Sequence, residues 1–371
     1  MDDHAARLTI DLAALRANWL TLDRLSGPAE TGAVVKADAY GLGIETAVPA
    51  LVKAGCRTFF VAHLSEAIRA RAVAPNVAIY VLNGFAAGRM QDYVAHRLRP
   101  VLGSAGEIAA WRGRPEGAEP AALHVDTAMN RLGLRPDEGM DLVRSTRLAD
   151  LGIGLTMTHF ASAEVPQSAD TQAQIARFSA LQAVIQAPES PNRAVGASLC
   201  NSSGHFIPGV PFFQLTRPGY ALYGGNPTPG QRNPMKPVIR LEAPVVQLLH
   251  VPEGEAVGYS GRWVARRDSR IATVSCGYAD GFPRNAGNGP DHPGGSAIVA
   301  GRECPFAGNV SMDLITIDVT DVPESSLRPG DFVTLIGDTL DIDRVGVAGR
   351  TIGYEILTNL GKRYRRVTLG D

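Results

Sequence analysis

The sequence predicts an α/β chain in which an N-terminal (β/α)8 TIM-like barrel is followed by a mostly β C-terminal domain. Three observations predict it. Up to Arg217, eight short apolar segments alternate with amphipathic runs, the rhythm of parallel strands joined by helical crossovers. After Gly225 the rhythm changes to strands separated by Pro/Gly turns. No GxGxxG follows the first strand, which disfavours an open doubly wound sheet.

The elements follow in order. Leu12, Leu15, Trp19, Leu22 and Leu25 form a helical stripe over Asp11–Leu25, and Asp11 can cap it. The barrel strands are read near Val34–Lys36, Thr58–Ala62, Ala78–Leu82, Pro100–Leu102, Ala122–Asp126, Gly154–Phe160, Gly196–Cys200 and Phe213–Arg217. Between most of them lie helical runs at Glu45–Ala54, Ser65–Ala74, Arg89–Leu98, Ala105–Arg112, Glu138–Leu148 and Thr171–Ile185. Asn226-Pro227-Thr228-Pro229-Gly230 and Asn233-Pro234 read as a linker, dividing a barrel of residues 8–230 from a β-domain of 231–371 with which the first seven residues can pair. Strands follow at Val238–Val251, Arg270–Cys276, Ser296–Val299, Leu314–Val319 and Phe332–Ile336, and Gly346–Leu360 reads as one amphipathic helix.

Composition narrows the functional classes. The chain has 371 residues, a size that favours two domains. Its net charge of −1 gives no support for nucleic-acid or acidic-membrane binding, and no apolar run is long enough to span a bilayer. The acidic start Met1-Asp2-Asp3-His4 lacks the apolar stretch of a secretory signal, so a cytoplasmic protein is expected. Cys56, Cys200, Cys276 and Cys304 are scattered without CxxC or His pairing, which reads as reduced thiols and no metal site. The cluster Lys362-Arg363-Tyr364-Arg365-Arg366 reads as a solvated strand edge.

Chemistry enters at Ala33-Val34-Val35-Lys36-Ala37-Asp38-Ala39-Tyr40-Gly41-Leu42-Gly43. A cation ends an otherwise apolar strand there. Burial disfavours the ammonium form, and a neutral amine is a nucleophile suited to Schiff-base chemistry. In a barrel of this kind functional side chains sit at the C-terminal strand ends. On the strand reading Lys36, Asp126 with Arg131, His159, Asn201 with Ser202, and Arg217 all fall there.

The Lys36 stretch resembles the lysine motif of pyridoxal-phosphate (PLP) dependent alanine racemases, and further matches follow in order along nearly the whole chain. The resemblance implies that Lys36 carries PLP and acts as base on one face of the substrate α-carbon. Tyr259, in Val257-Gly258-Tyr259-Ser260-Gly261-Arg262-Trp263, would serve the other face from the second subunit of an obligate homodimer. A free phenol has a pKa of about 10, and Arg284 is the candidate neighbouring cation. His159 resembles the histidine stacked on the cofactor ring. Arg217, in Leu215-Thr216-Arg217-Pro218-Gly219-Tyr220, resembles the arginine facing the pyridine nitrogen. A permanently charged arginine keeps that nitrogen unprotonated, which suits racemisation better than transamination. Tyr40, Ser202, the amides of Gly219 and Tyr220, and Tyr354 match the phosphate ligands, and Asn201 belongs to the same cofactor-binding set. Arg131 would contact the PLP phenolic oxygen and the substrate carboxylate, Met312 the carboxylate through its amide, and Tyr278 would line the substrate approach.

This sequence departs from the family at three places. His124 stands where many members carry a carbamylated lysine that steers the active-site arginine, so another group must orient Arg131, with Asn130, an anion or water as candidates. Ala128 replaces a glycine and Ser311 a common cysteine. The implied activity is interconversion of L- and D-alanine for peptidoglycan. A broader serine or lysine racemase and a non-catalytic PLP-binding protein are the alternatives. The second domain with Tyr259 argues against the carrier.

Overall fold

The computed structural model describes residues 5–289 and 292–370. Seven parallel strands run Ala33–Val34, Thr58–Val61, Ala78–Val81, Arg99–Leu102, Ala121–His124, Ile153–Met157 and Gly196–Ser198. The ring is closed by Leu215–Thr216, which pairs in parallel with Glu30–Thr31. On that seam Gly32 and Val34 donate to Thr216 and Pro218 at 3.0 and 2.9 Å, while Gln214 and Arg217 donate to Ala197 and Cys200 at 3.2 and 2.8 Å. The strand segments Thr58–Val61 and Ala121–Leu123 are wholly buried, as expected of parallel strands covered by helices.

The first helix spans Leu12–Ser26, and the Asp11 carboxylate caps it by accepting from the Ala14 amide at 2.8 Å. Leu12, Leu15, Trp19 and Leu22 are buried as the stripe predicts, whereas Leu25 is exposed. Two barrel helices are shorter than read: Met90–Ala95 follows a 3-10 turn, and Pro136–Ser145 starts at a proline suited to a first helical turn.

The second domain is built on the 13-residue strand Ile239–Val251. It pairs antiparallel with Phe332–Ile336 and Ser269–Ser275, and the latter with Leu314–Asp318. Ser296–Val299 and Arg302–Pro305 form a hairpin on the same sheet. Arg7–Asp11 lies in this sheet too, between Ile239–Val251 and the exposed edge strand Arg365–Leu369. Gly346–Leu360 is not one helix. Ile342–Ala348 and Gly353–Thr358 are separated by a turn in which Arg350 has φ of 54°, a left-handed residue that ends α-helical propagation. The two domains are tied by buried Asn18, whose amide donates to Leu222 and Lys236 carbonyls and accepts from the Lys236 amide.

Candidate active site

The strand that leads to Lys36 stops at Val34, two residues before the lysine. Ala37, Asp38, Ala39 and Tyr40 then all take left-handed backbone angles, with φ between 52° and 54°. Such a run costs roughly 1–2 kcal/mol per non-glycine residue, so the surroundings must impose it. Glu66 does so from the helix Leu64–Val73. Its carboxylate accepts from the Asp38 amide at 3.2 Å and from the Ala62 amide at 2.9 Å. Asp38 in turn accepts from the Ile44 amide and from Arg69. The turn presents the Lys36 amine to a cavity of about 670 Å³ at the C-terminal mouth of the barrel.

That cavity gathers ten of the sequence-predicted residues: Lys36, Tyr40, Arg131, His159, Asn201, Ser202, Arg217, Gly219, Tyr220 and Tyr354. Lys36 is half-buried, and burial first, then the Arg131 charge, lowers its amine pKa, opposed by Glu66. Arg217 is buried and donates to Ser198 Oγ and the Thr158 carbonyl, both at 2.5 Å. Burial pushes its pKa down to about 10, so it stays charged near neutrality. His159 is driven well below the usual imidazole range by burial and then by Arg217, Lys36 and Arg131, and is neutral. His124 lines the cavity and is lowered to about 4, by burial and then Arg217. Asn130 does not orient Arg131: its side-chain oxygen accepts from Arg135 at 2.7 Å.

Ser202 Oγ accepts from the Gly219 and Ala221 amides at 3.0 and 3.1 Å, leaving its own proton to donate outward. Tyr220 opens a 3-10 turn, so its amide has no acceptor within that turn. A β-carbon on Gly219 would lie 2.5 Å from the Tyr40 hydroxyl, so only glycine fits this close approach. The Tyr40 ring stacks on Tyr223 at 4.5 Å, and Tyr354 stacks on Tyr220 at 3.8 Å. Together these groups form an anion nest beside an amine and a buried guanidinium, a donor set that fits PLP.

Tyr259, Tyr278, Met312 and Arg284 lie elsewhere, on loops of the second domain. Asn309 holds the Tyr259 carbonyl at 3.0 Å, and the Tyr278 and Ala279 amides donate to Ser311 and Met312 carbonyls, which joins three of them in one loop cluster. Tyr259 is 72% exposed and Met312 53%. Arg284 and Tyr278 line a separate cavity of about 470 Å³, and among the described residues no hydrogen bond joins Arg284 to Tyr259.

Sequence reasoning missed Glu66, since no Ser or Thr stands three residues before it to mark a capping box; its carboxylate also accepts from the His63 amide at 3.1 Å. It also missed His205, which supports the Asn201–Ser202 loop. Its Nδ1 lies 2.8 Å from the Asn201 carbonyl and must carry the proton, while Nε2 lies 3.2 Å from Ser26 Oγ. Burial holds this imidazole down at about 4, against an ordinary 6.5. Between those values the unfolded chain binds the extra proton, so stability rises with pH there and is lost on acidification. Acidifying from about pH 7 to about pH 5 is expected to cost about 2 kcal/mol through this histidine. Urea midpoints at both pH values, with His205→Gln giving the shallower dependence, check it.

Comparison with known proteins agrees with this site. The N-terminal alanine racemase domain model matches residues 10–227 and the C-terminal one residues 238–368. An alanine racemase of Methylobacterium sp. is 53% identical, over 98% of this chain and 97% of its own length. One from Acidiphilium cryptum is 50% identical, over 97% and 98%. The crystal structure of alanine racemase from Bartonella henselae with covalently bound pyridoxal phosphate is 38% identical, with a TM-score of 0.88 over 98% of this chain and 99% of its own. The biosynthetic alanine racemase of Pseudomonas aeruginosa gives 33% and 0.88 over 99% and 100%. With both domains matched across nearly the full length, the chain belongs to the alanine racemase family.

Proposed function

We propose that this chain is a PLP-dependent alanine racemase that supplies D-alanine for peptidoglycan and works as a homodimer with shared sites. The observation that carries the reading is the Lys36 amine, its pKa lowered by burial, in one cavity with buried Arg217 and the Ser202–Gly219–Tyr220 nest. Bound there, PLP supplies the electron sink that makes the alanine α-proton removable. Lys36 would hold it covalently, the nest and Tyr40 its phosphate, and Arg217 its ring nitrogen, donating a hydrogen bond without giving up a proton.

The remaining work belongs to this chain's side chains. The exposed Arg131 guanidinium stands at the cavity and binds the substrate carboxylate. The Lys36 amine takes or returns the α-proton on one face. The opposite face falls to the phenol of Tyr259 of the partner subunit, with the Met312 amide and Tyr278 beside it. Support for the dimer comes from two sets of exposed apolar residues. One is the loop cluster of Tyr259, Tyr278, Met312 and Leu314, and the other rims the cavity at Leu132, Ile352 and Tyr354. Contiguous apolar exposure of this kind marks association surfaces.

Incubating the protein with L-alanine in heavy water tests the activity. Deuterated D-alanine should accumulate, with a visible cofactor band in the purified protein. A band without α-deuteration of alanine would redirect the reading to serine or lysine as substrate, or to a carrier if none exchanges.

A further inference from the structure

Outside the residues already given roles, one contact from the second domain reaches the nest. Asp343, near the start of the helix Ile342–Ala348, accepts from the Tyr220 hydroxyl at 2.6 Å. Its other carboxylate oxygen accepts from the amide of Asn226, in the segment linking the domains, at 2.9 Å. The Tyr220 ring lies against Tyr354 with centroids 3.8 Å apart and planes 9° apart. Gly353 is built around this contact, since a β-carbon there would fall on the Tyr220 hydroxyl. Tyr220 is buried, and its own backbone opens the turn that ends at Tyr223.

We infer that Asp343 and the Tyr220 hydroxyl form an interdomain clamp that positions the phosphate-binding turn. The argument rests on the PLP placement proposed above. A backbone donor nest binds an anion well only if its amides are fixed beforehand, because ordering them on binding costs affinity. Gly219 is the residue most in need of such support, having no side chain to anchor it. One hydroxyl bonded to an ionised carboxylate pins Tyr220 to the second domain, and the Tyr354 ring covers its face. The carboxylate also holds Asn226, so the turn, the linker and the helix move as one body. Tyr220 and Asp343 are therefore positioning residues, without contact to the reacting atoms.

The test compares two ligands that differ only in the phosphate. The full chain, stripped of cofactor, is titrated with PLP and separately with pyridoxal, following the visible absorbance, for wild type, Tyr220→Phe and Asp343→Asn. Tyr220→Phe keeps the stacked ring and removes only the hydroxyl. Loss of a charge-assisted hydrogen bond is expected to weaken PLP about tenfold and leave pyridoxal unchanged. Asp343→Asn keeps an acceptor and should fall between. Equal weakening of both ligands, or no change in PLP affinity with Tyr220→Phe, would overturn the clamp. A wild-type chain that binds pyridoxal as tightly as PLP would instead overturn the phosphate placement itself. Should Asp343→Asn fold poorly, Tyr220→Phe decides alone.

Discussion

Lys36→Ala is expected to abolish racemisation, with a loss of roughly 10⁴-fold or more, since it removes both a general base and the covalent cofactor anchor. The site offers no replacement: Lys36 is the only lysine lining the cavity among the described residues. The fold should survive, because Ala37 to Tyr40 set the turn through backbone bonds to Glu66 and Asp38 rather than through the lysine side chain. Three measurements separate the roles. Mass spectrometry after borohydride treatment should find cofactor fixed to wild type and not to the variant. Circular dichroism should be unchanged in the far ultraviolet. Added methylamine should restore part of the α-proton exchange. Retention of racemisation would move the base to another group.

Lys36→Ala and Tyr259→Phe, each inactive alone, should complement one another when co-expressed. In a two-fold dimer with shared sites, the mixed species has one site lacking both groups and one intact. Random pairing then restores about a quarter of wild-type activity. The 72% exposure of Tyr259 in the single chain, on a loop cluster separate from the Lys36 cavity, motivates the experiment. Absence of recovery in isolated heterodimers would place both residues of a working site in one subunit.

Much of this site was legible because its residues break the local pattern. A lysine after Val34 and Val35, an arginine after Leu215 and Thr216, and a histidine before Phe160 are each out of place in apolar strands, and all three face one cavity. Strand periodicity and the Asp11 cap could be read because they are local signals. The left-handed run from Ala37 to Tyr40 could not. No glycine marks it, and the bonds that impose it come from Glu66 and Arg69, about thirty residues away, as the separations of 28 and 31 residues record. The break at Arg350 did carry a local signal, since Gly349 stands at the helix end and Gly353 follows, and the single-helix reading of Gly346–Leu360 passed over it. His205 was hidden because its importance lies in Ser26, a partner 179 residues away. Arg131 was found, but its freedom from Asn130 was not, because only geometry assigns Asn130 to Arg135.

The placement of Arg7–Asp11 has a consequence for how the molecule assembles. This strand is made before the barrel, yet both its neighbours, Ile239–Val251 and Arg365–Leu369, are made after it. A ribosome-bound chain therefore holds an unpaired apolar ribbon, with Leu8 and Ile10 later fully enclosed, while the barrel is already able to form. Closing it spans more than three hundred residues, among the slowest contacts a chain of this size can make. Arg7–Asp11 is held by Ile239–Val251 on one side and by Arg365–Leu369 on the other, so the helix Leu12–Ser26 that follows it is tied to the second domain through both strands and through Asn18. The sheet of the second domain is thus completed only once Arg365–Leu369 is made, later than the barrel that carries Lys36.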